Sequence, residues 1–128
     1  MKTMFLSSLF LAATLLASPA PQETPQFVGT WSGNWASKGG SPEAVTVELK
    51  ADDRRMLTGR FVTPVPMDFS KASFDPKTSR ILVEAADQKS EKRYKLDALM
   101  KDTELNGTME VDGVPGTVRL IKWTFFGR

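Results

Sequence analysis

The side chains that could do chemistry in this chain are carboxylates, lysines, arginines and a single tyrosine, because the sequence contains neither histidine nor cysteine. An enzyme of this composition would depend on a pair of carboxylates or on a Lys or Tyr acid/base. The one adjacent acidic pair, Asp52-Asp53, stands in a charged stretch typical of a hairpin turn. Glu48 and Glu84 alternate with apolar neighbours, which predicts solvent-facing positions. The sequence therefore predicts a non-enzymatic protein without a metal or other cofactor.

Aromatic residues form the second informative group. Phe27, Trp31 and Trp35 stand four residues apart, with Gly29 and Gly33 between them. Side chains of a β-strand alternate between two faces, so all five residues would share one face. Such a face must meet something packed closely against it. The pattern indicates an architecture and no particular reaction.

Short alternating segments follow one another along the chain and must position these side chains. Turn signals separate them, and Pro64 and Pro66 mark a loop or an edge because proline cannot donate to a strand ladder. The sequence predicts an all-β fold, an eight-stranded antiparallel up-and-down meander that closes into a barrel. The expected strands are 27–35, 44–50, 56–62, 67–74, 80–86, 93–101, 105–111 and 117–125.

Two of these strands carry a similar short sequence. Leu57-Thr-Gly-Arg-Phe61 resembles Leu105-Asn-Gly-Thr-Met109. A glycine inside a strand often marks a bend or a close backbone approach. Either these glycines form corners of a strongly coiled sheet, or the similarity is a coincidence of short windows.

The N-terminal residues indicate export. A basic start at Lys2, an apolar run over 5–16 and small residues before Pro21 are typical of a secretory signal peptide. The expected organisation is a signal peptide over 1–20 with cleavage near 17–20, a linker over 21–26 and one barrel domain over 27–128. We expect a periplasmic or secreted protein that does not span a membrane once the signal is removed. The formal net charge is +2 and the basic residues are scattered, so we expect no nucleic-acid partner.

A barrel of eight strands can hold one small ligand or be filled by its own side chains. The residues we expect at a ligand site in the lumen or mouth are Trp35, Phe61, Tyr94 and Trp123, and the ligand would be small and apolar or amphipathic. One alternative is a purely structural, filled barrel. Another is a periplasmic protein-interaction module, such as an inhibitor or envelope-assembly factor, that uses a rim or the loop 63–67. Arg119 is either a surface arginine or the cationic partner of the Trp31 ring.

The Gly29-Thr-Trp31 sequence followed by Leu57-Thr-Gly-Arg-Phe61 resembles the calycin group, which includes lipocalins, fatty-acid-binding proteins and avidins. The order of motifs also resembles that of small uncharacterised exported β-barrel proteins of soil bacteria. The resemblance implies a lipocalin-like or avidin-like barrel. It also implies that Trp31 plugs one end and that Arg119, from a late strand, covers it.

Overall fold

A computed structural model describes residues 24–124 of the chain. The proposed signal peptide and the C-terminal residues 125–128 lie outside this range. The described part is all-β, and it includes no helix long and apolar enough to cross a membrane. Its eight strands are β1 (Gly29–Ser37), β2 (Glu43–Ala51), β3 (Leu57–Thr63), β4 (Met67–Asp75), β5 (Arg80–Ala86), β6 (Arg93–Lys101), β7 (Glu104–Val111) and β8 (Val114–Lys122).

The strands form a closed antiparallel barrel in sequence order, which confirms the predicted fold. Closure is made by β1, which pairs with β2 on one side and with β8 on the other. Because consecutive strands are antiparallel, the loops after β1, β3, β5 and β7 lie at one end, here the upper end. The first described residues, the loops after β2, β4 and β6, and Trp123 lie at the lower end.

Alternation of apolar and polar residues decides which face of each strand is inside. In β2, Val45, Val47 and Leu49 are buried while the residues between them are partly exposed. In β6, the residues from Tyr94 to Met100 alternate between buried and exposed or partly exposed. This period of two places one face in the core and leaves the other in water.

The last hairpin is tighter than the sequence predicts. We expected the turn to extend to Gly116 and the eighth strand to begin at 117, whereas β8 begins at Val114, which pairs with Val111. Asp112 and Gly113 both have positive φ, at 55° and 86°. A two-residue turn of this kind matches the twist of the flanking strands, so pairing resumes at once.

Glycines of the two similar strand sequences have the same structural role. A Cβ at Gly59 would lie 2.0 Å from the Glu48 carbonyl oxygen, and one at Gly107 would lie 2.1 Å from that of Asp97. The neighbouring strand therefore approaches the backbone where only a hydrogen fits. Both glycines therefore occupy close-approach positions in the barrel wall.

Candidate functional site

The barrel interior is occupied by the protein's own side chains. Trp31, Phe61 and Leu120 have no exposed surface, and they belong to one hydrophobic cluster that includes residues of every strand. Packing of this kind is typical of eight-stranded barrels in which side chains fill the space between the strands. The clefts described below lie on the outer surface of the barrel and at its ends.

Three of the four residues expected to line a ligand site meet inside the barrel. The rings of Phe61 and Tyr94 have centroids 5.6 Å apart. Trp35 is buried, and its Nε1 donates a 2.6 Å hydrogen bond to the Met109 carbonyl oxygen of β7, two strands away around the barrel. All three side chains belong to the buried hydrophobic cluster, so the surface that would receive a ligand is used in packing.

Trp123 lies apart from this group. It follows β8 at the lower end and is 63% exposed. Its backbone N–H donates to the Thr30 carbonyl oxygen, which extends the pairing of β8 with β1 by one residue. Trp123 therefore contributes nothing to a site around Trp35, which lies toward the upper end.

The lower end is closed differently from our expectation. Trp31 is fully buried and donates from Nε1 to the Phe27 carbonyl oxygen at 2.9 Å. The cation over its ring is Lys122, whose Nζ lies 5.5 Å from the ring centroid and donates to the Gln26 carbonyl oxygen. The expectation that Arg119 covers Trp31 is wrong. The Arg119 side chain is 61% exposed and pairs with Glu104 at 2.9 Å on the outer surface.

The alternation of side chains along β8 explains why Lys122, and not Arg119, lies over Trp31. Val118 and Leu120 are buried, and alternation places Lys122 on the same inner face. Arg119 shares the outer face with Ile121 and Trp123, both of which are exposed. The inward alkyl chain of Lys122 runs past Gly29, where a Cβ would lie 2.8 Å from the lysine Cε.

The barrel wall has one weak seam, between β3 and β4. Pairing there is confined to Arg60 with Asp68 and Phe61 with Met67, beside the connecting loop. The neighbouring β4–β5 pairing continues to Asp75, at the lower end of the barrel. Below Asp68, therefore, β4 has a partner on its β5 side and none on its β3 side among residues 24–124.

Two local features separate β3 from β4. Gly59 has a φ of 146°, a left-handed value that L side chains rarely adopt, and a Cβ there would lie 3.1 Å from the Phe69 ring. On β4, the register toward β5 shifts between Phe69 and Lys71, which is a β-bulge at Ser70. A bulge bends its strand and increases the local twist. Together they turn the lower part of β4 away from β3.

The lower part of the seam is an apolar crevice. Its volume is about 300 Å³, and its walls come from the first described residues, the β2–β3 turn and the lower ends of β3 and β4. The Phe27 and Phe74 rings pack together there, with centroids 5.0 Å apart. Met56, which also lines the crevice, is 58% exposed. The crevice thus adjoins the free edge of β4.

Beside the paired, upper part of the seam lies a larger cleft of about 560 Å³, between the β3–β4 loop and the β5–β6 loop. Val65, Pro66 and Met67 supply an apolar wall, while Arg60 and Lys89 supply positive charge. The Arg60 Nε is buried and has no hydrogen-bond partner in the described part of the chain. A buried donor without a partner is costly, so an acceptor from water or from a ligand would stabilise this position.

Asp68 and Asp87 also line this cleft, and the Asp87 carboxylate is engaged within its own turn. Asp87 accepts hydrogen bonds from the Ser90 hydroxyl and the Lys89 backbone N–H, and these lower the pKa of its carboxyl. Burial raises the pKa of the Tyr94 phenol, and the negative charges of Asp87 and Glu43 act in the same direction. Tyr94 is therefore a neutral core residue at physiological pH, and Asp87 holds the β5–β6 turn.

The described residues include no group of three or more His, Cys, Asp or Glu side chains that could hold a metal ion. The ion pairs are isolated and exposed. Arg80 and Asp97 pair at 2.6 Å, which lowers the pKa of the Asp97 carboxyl through the hydrogen bond from Arg80. Exposed pairs of this kind contribute little to stability.

Comparisons with protein-family models, with curated proteins and with solved structures found no match to this chain. The class of the protein is therefore the one that its own fold defines, a closed eight-stranded antiparallel barrel consistent with a calycin-like fold. The free β4 edge was not among the residues singled out from the sequence. Its sequence signals are Gly59 and the prolines of the β3–β4 loop.

Proposed function

We propose that this protein is an exported, non-enzymatic β-barrel that binds a protein partner by strand addition along the free edge of β4. The observation that carries the proposal is the β3–β4 seam, where pairing ends at Asp68 although β4 continues to Asp75. An unpaired strand edge presents a row of N–H and C=O groups to an incoming strand. Recognition by strand addition uses these groups for affinity and alternate side-chain pockets for specificity.

The side chains beside the edge suit an extended partner with alternating residues. Lys71, Ser73 and Asp75 are exposed, while Ala72 and Phe74 are half-buried. An added strand would therefore present polar residues on one face and apolar residues on the other, the latter beside Phe74 and the crevice. The filled interior supports an external site over a ligand site in the lumen.

Fluorescence anisotropy with a labelled heptapeptide tests this proposal. The peptide alternates valine and threonine and carries Lys and Glu so that, in antiparallel pairing, they oppose Asp75 and Lys71. We expect saturable binding. The same peptide methylated on the backbone nitrogens that face β4 should lose most of that binding, because it cannot donate to the edge.

A matched pair of variants locates the site. Lys71→Glu places a like charge opposite the peptide glutamate and should weaken binding. Lys38→Glu is the control, because it changes an exposed lysine of the β1–β2 loop, at the opposite end of the barrel from Asp75. Equal binding of the methylated and unmethylated peptides would refute strand addition. Equal loss in both variants would refute the position of the site.

A second candidate function is the binding of a small amphipathic ligand in the upper cleft. The buried, unpartnered Arg60 Nε favours it, because a carboxylate or phosphate on the ligand would satisfy that donor while its apolar part lay against Pro66 and Met67. Isothermal titration with octanoate and with neutral octanol tests this candidate. Binding of octanoate that Arg60→Gln abolishes would support it, and equal heats from octanol would contradict it.

A further inference from the structure

We propose that the free edge of β4 binds a second copy of the same chain, so that two β4 strands pair antiparallel about a two-fold axis at Ser73. This inference rests on the proposed function, since it names the partner of the same edge. In this dimer one pair of β4 strands joins the two barrels, and the core of each barrel stays as it is in the single chain. Three properties of β4 support it: the symmetry of the pairing, the charges on the strand and the faces on which its residues lie.

Symmetry restricts the possible registers. Along an antiparallel pair, hydrogen-bonded and non-hydrogen-bonded residue positions alternate. A two-fold axis must map each hydrogen-bonded pair onto another hydrogen-bonded pair. The axis therefore lies where a residue faces its own copy in the second chain, and it cannot lie between two successive residues of the strand. In the free part of β4 the central candidates are Lys71, Ala72 and Ser73. Each of them gives a different set of opposed side chains.

Charge selects among these registers. An axis at Lys71 would set two lysines directly opposite each other, which is destabilising. With the axis at Ala72, Lys71 lies opposite Ser73 and the charge of Asp75 lies opposite Phe69. With the axis at Ser73, Lys71 of each copy lies opposite Asp75 of the other copy, and Ala72 lies opposite Phe74. The Ser73 axis alone pairs both charges, and it does so twice.

The faces of β4 agree with this register. Lys71, Ser73 and Asp75 lie on the exposed face, so the opposed charges meet at the surface. Lys71 makes no ion pair within residues 24–124. Asp75 accepts a hydrogen bond from the Lys77 backbone N–H through Oδ1, which leaves Oδ2 for a lysine of the second copy. On the other face, the half-buried Phe74 and Ala72 would extend the apolar cluster across the interface.

Analytical ultracentrifugation over a range of protein concentrations tests the inference. We expect the wild-type protein to dimerise reversibly. Lys71→Asp and Asp75→Lys should each weaken dimerisation about tenfold or more, equivalent to about 1.4 kcal/mol, because each change replaces two attractive pairs with two repulsive ones. Lys38→Asp, the same charge reversal in the β1–β2 loop away from the seam, should leave the association constant unchanged.

Two complementation measurements make the test specific to this register. The double variant Lys71→Asp/Asp75→Lys should regain the wild-type association constant. An equimolar mixture of the two single variants should form heterodimers, because one chain then presents two acidic residues and the other two lysines. If the single substitutions weakened dimerisation by disturbing the structure of β4, neither the double variant nor the mixture would restore it.

The outcomes separate this inference from the proposed function. A wild-type protein that stays monomeric at all concentrations, or a dimer unaffected by Lys71→Asp, would overturn the second copy as partner. If that monomer still bound the peptide and failed to bind its methylated form, strand addition would stand with a different partner. Failure of the peptide and of dimerisation together would refute both, as expected if another segment of the chain covers the edge.

Discussion

Replacement of Trp35 by phenylalanine measures how far the barrel depends on side chains that fill its interior. Trp35 is buried, and its indole N–H bonds to the Met109 carbonyl oxygen at 2.6 Å, which ties β1 to β7. Phenylalanine keeps an aromatic ring at this position and removes the donor. The Met109 carbonyl is then left without that partner in a buried setting.

The expected loss follows from two terms. An unsatisfied buried carbonyl costs about 1–3 kcal/mol, and the smaller ring leaves a space that costs about 1 kcal/mol. The total is about 2–4 kcal/mol, a large part of the stability of a domain of this size. At about 4–8 °C per kcal/mol for such a domain, the Tm should fall by about 8–30 °C.

Urea unfolding followed by circular dichroism measures this loss without relying on tryptophan fluorescence, which the substitution itself changes. Trp123→Phe is the matched control, because Trp123 is 63% exposed and should change stability by no more than about 0.5 kcal/mol. If Trp35→Phe were as mild as Trp123→Phe, the indole would not be part of a filled core. A filled interior would then no longer support an external binding site over a ligand site in the lumen.

Further predictions concern one glycine, the tyrosine and the two cations of β8. Gly33→Ala would bring a Cβ within 1.8 Å of the Arg119 carbonyl oxygen, so it should cost at least about 2 kcal/mol in urea unfolding; a neutral result would contradict the close β1–β8 approach. Burial raises the pKa of Tyr94 in the folded protein. The contribution of its neutral phenol to folding stability is therefore fully present below about pH 10 and is lost as pH rises through the folded pKa. Tyrosinate absorbance reports this residue alone, because the chain has one tyrosine, and an ordinary titration would contradict its burial. Lys122→Met should lower stability by about 1 kcal/mol through loss of the cation over Trp31, while Arg119→Met should change it by less than about 0.5 kcal/mol; the reverse order would restore Arg119 as the covering residue.

Alternation in the sequence was sufficient to predict the strand order and the closed barrel. The run from Tyr94 to Met100 alternates so regularly that its inner face follows from the sequence, and the structure agrees. The inward position of Lys122 could also have been predicted from the sequence, because Lys122 is in phase with Val118 and Leu120. It was missed because the resemblance to the calycin group implied that an arginine, Arg119, covers Trp31.

The free edge of β4 could not be derived in this way. Alternation tells which face of a strand is buried, and it says nothing about how far two neighbouring strands remain paired. The separation depends on the left-handed φ of Gly59 and on the bulge at Ser70, which are properties of the three-dimensional backbone. Similarly, alternation places Trp35 and Phe61 inside a barrel without showing whether they leave space for a ligand.

Amide hydrogen exchange of β4, measured by NMR at a concentration where the protein is monomeric, tests the free edge most directly. Successive amides of a strand point to opposite sides, so alternate amides between Lys71 and Asp75 should exchange quickly while the others are protected by β5. Amides of β6, which pairs on both sides, should be protected throughout. If the β4 edge is free, the fast β4 amides should slow when the unmethylated peptide is added. Uniform protection along β4 in the monomer without peptide would contradict a free edge.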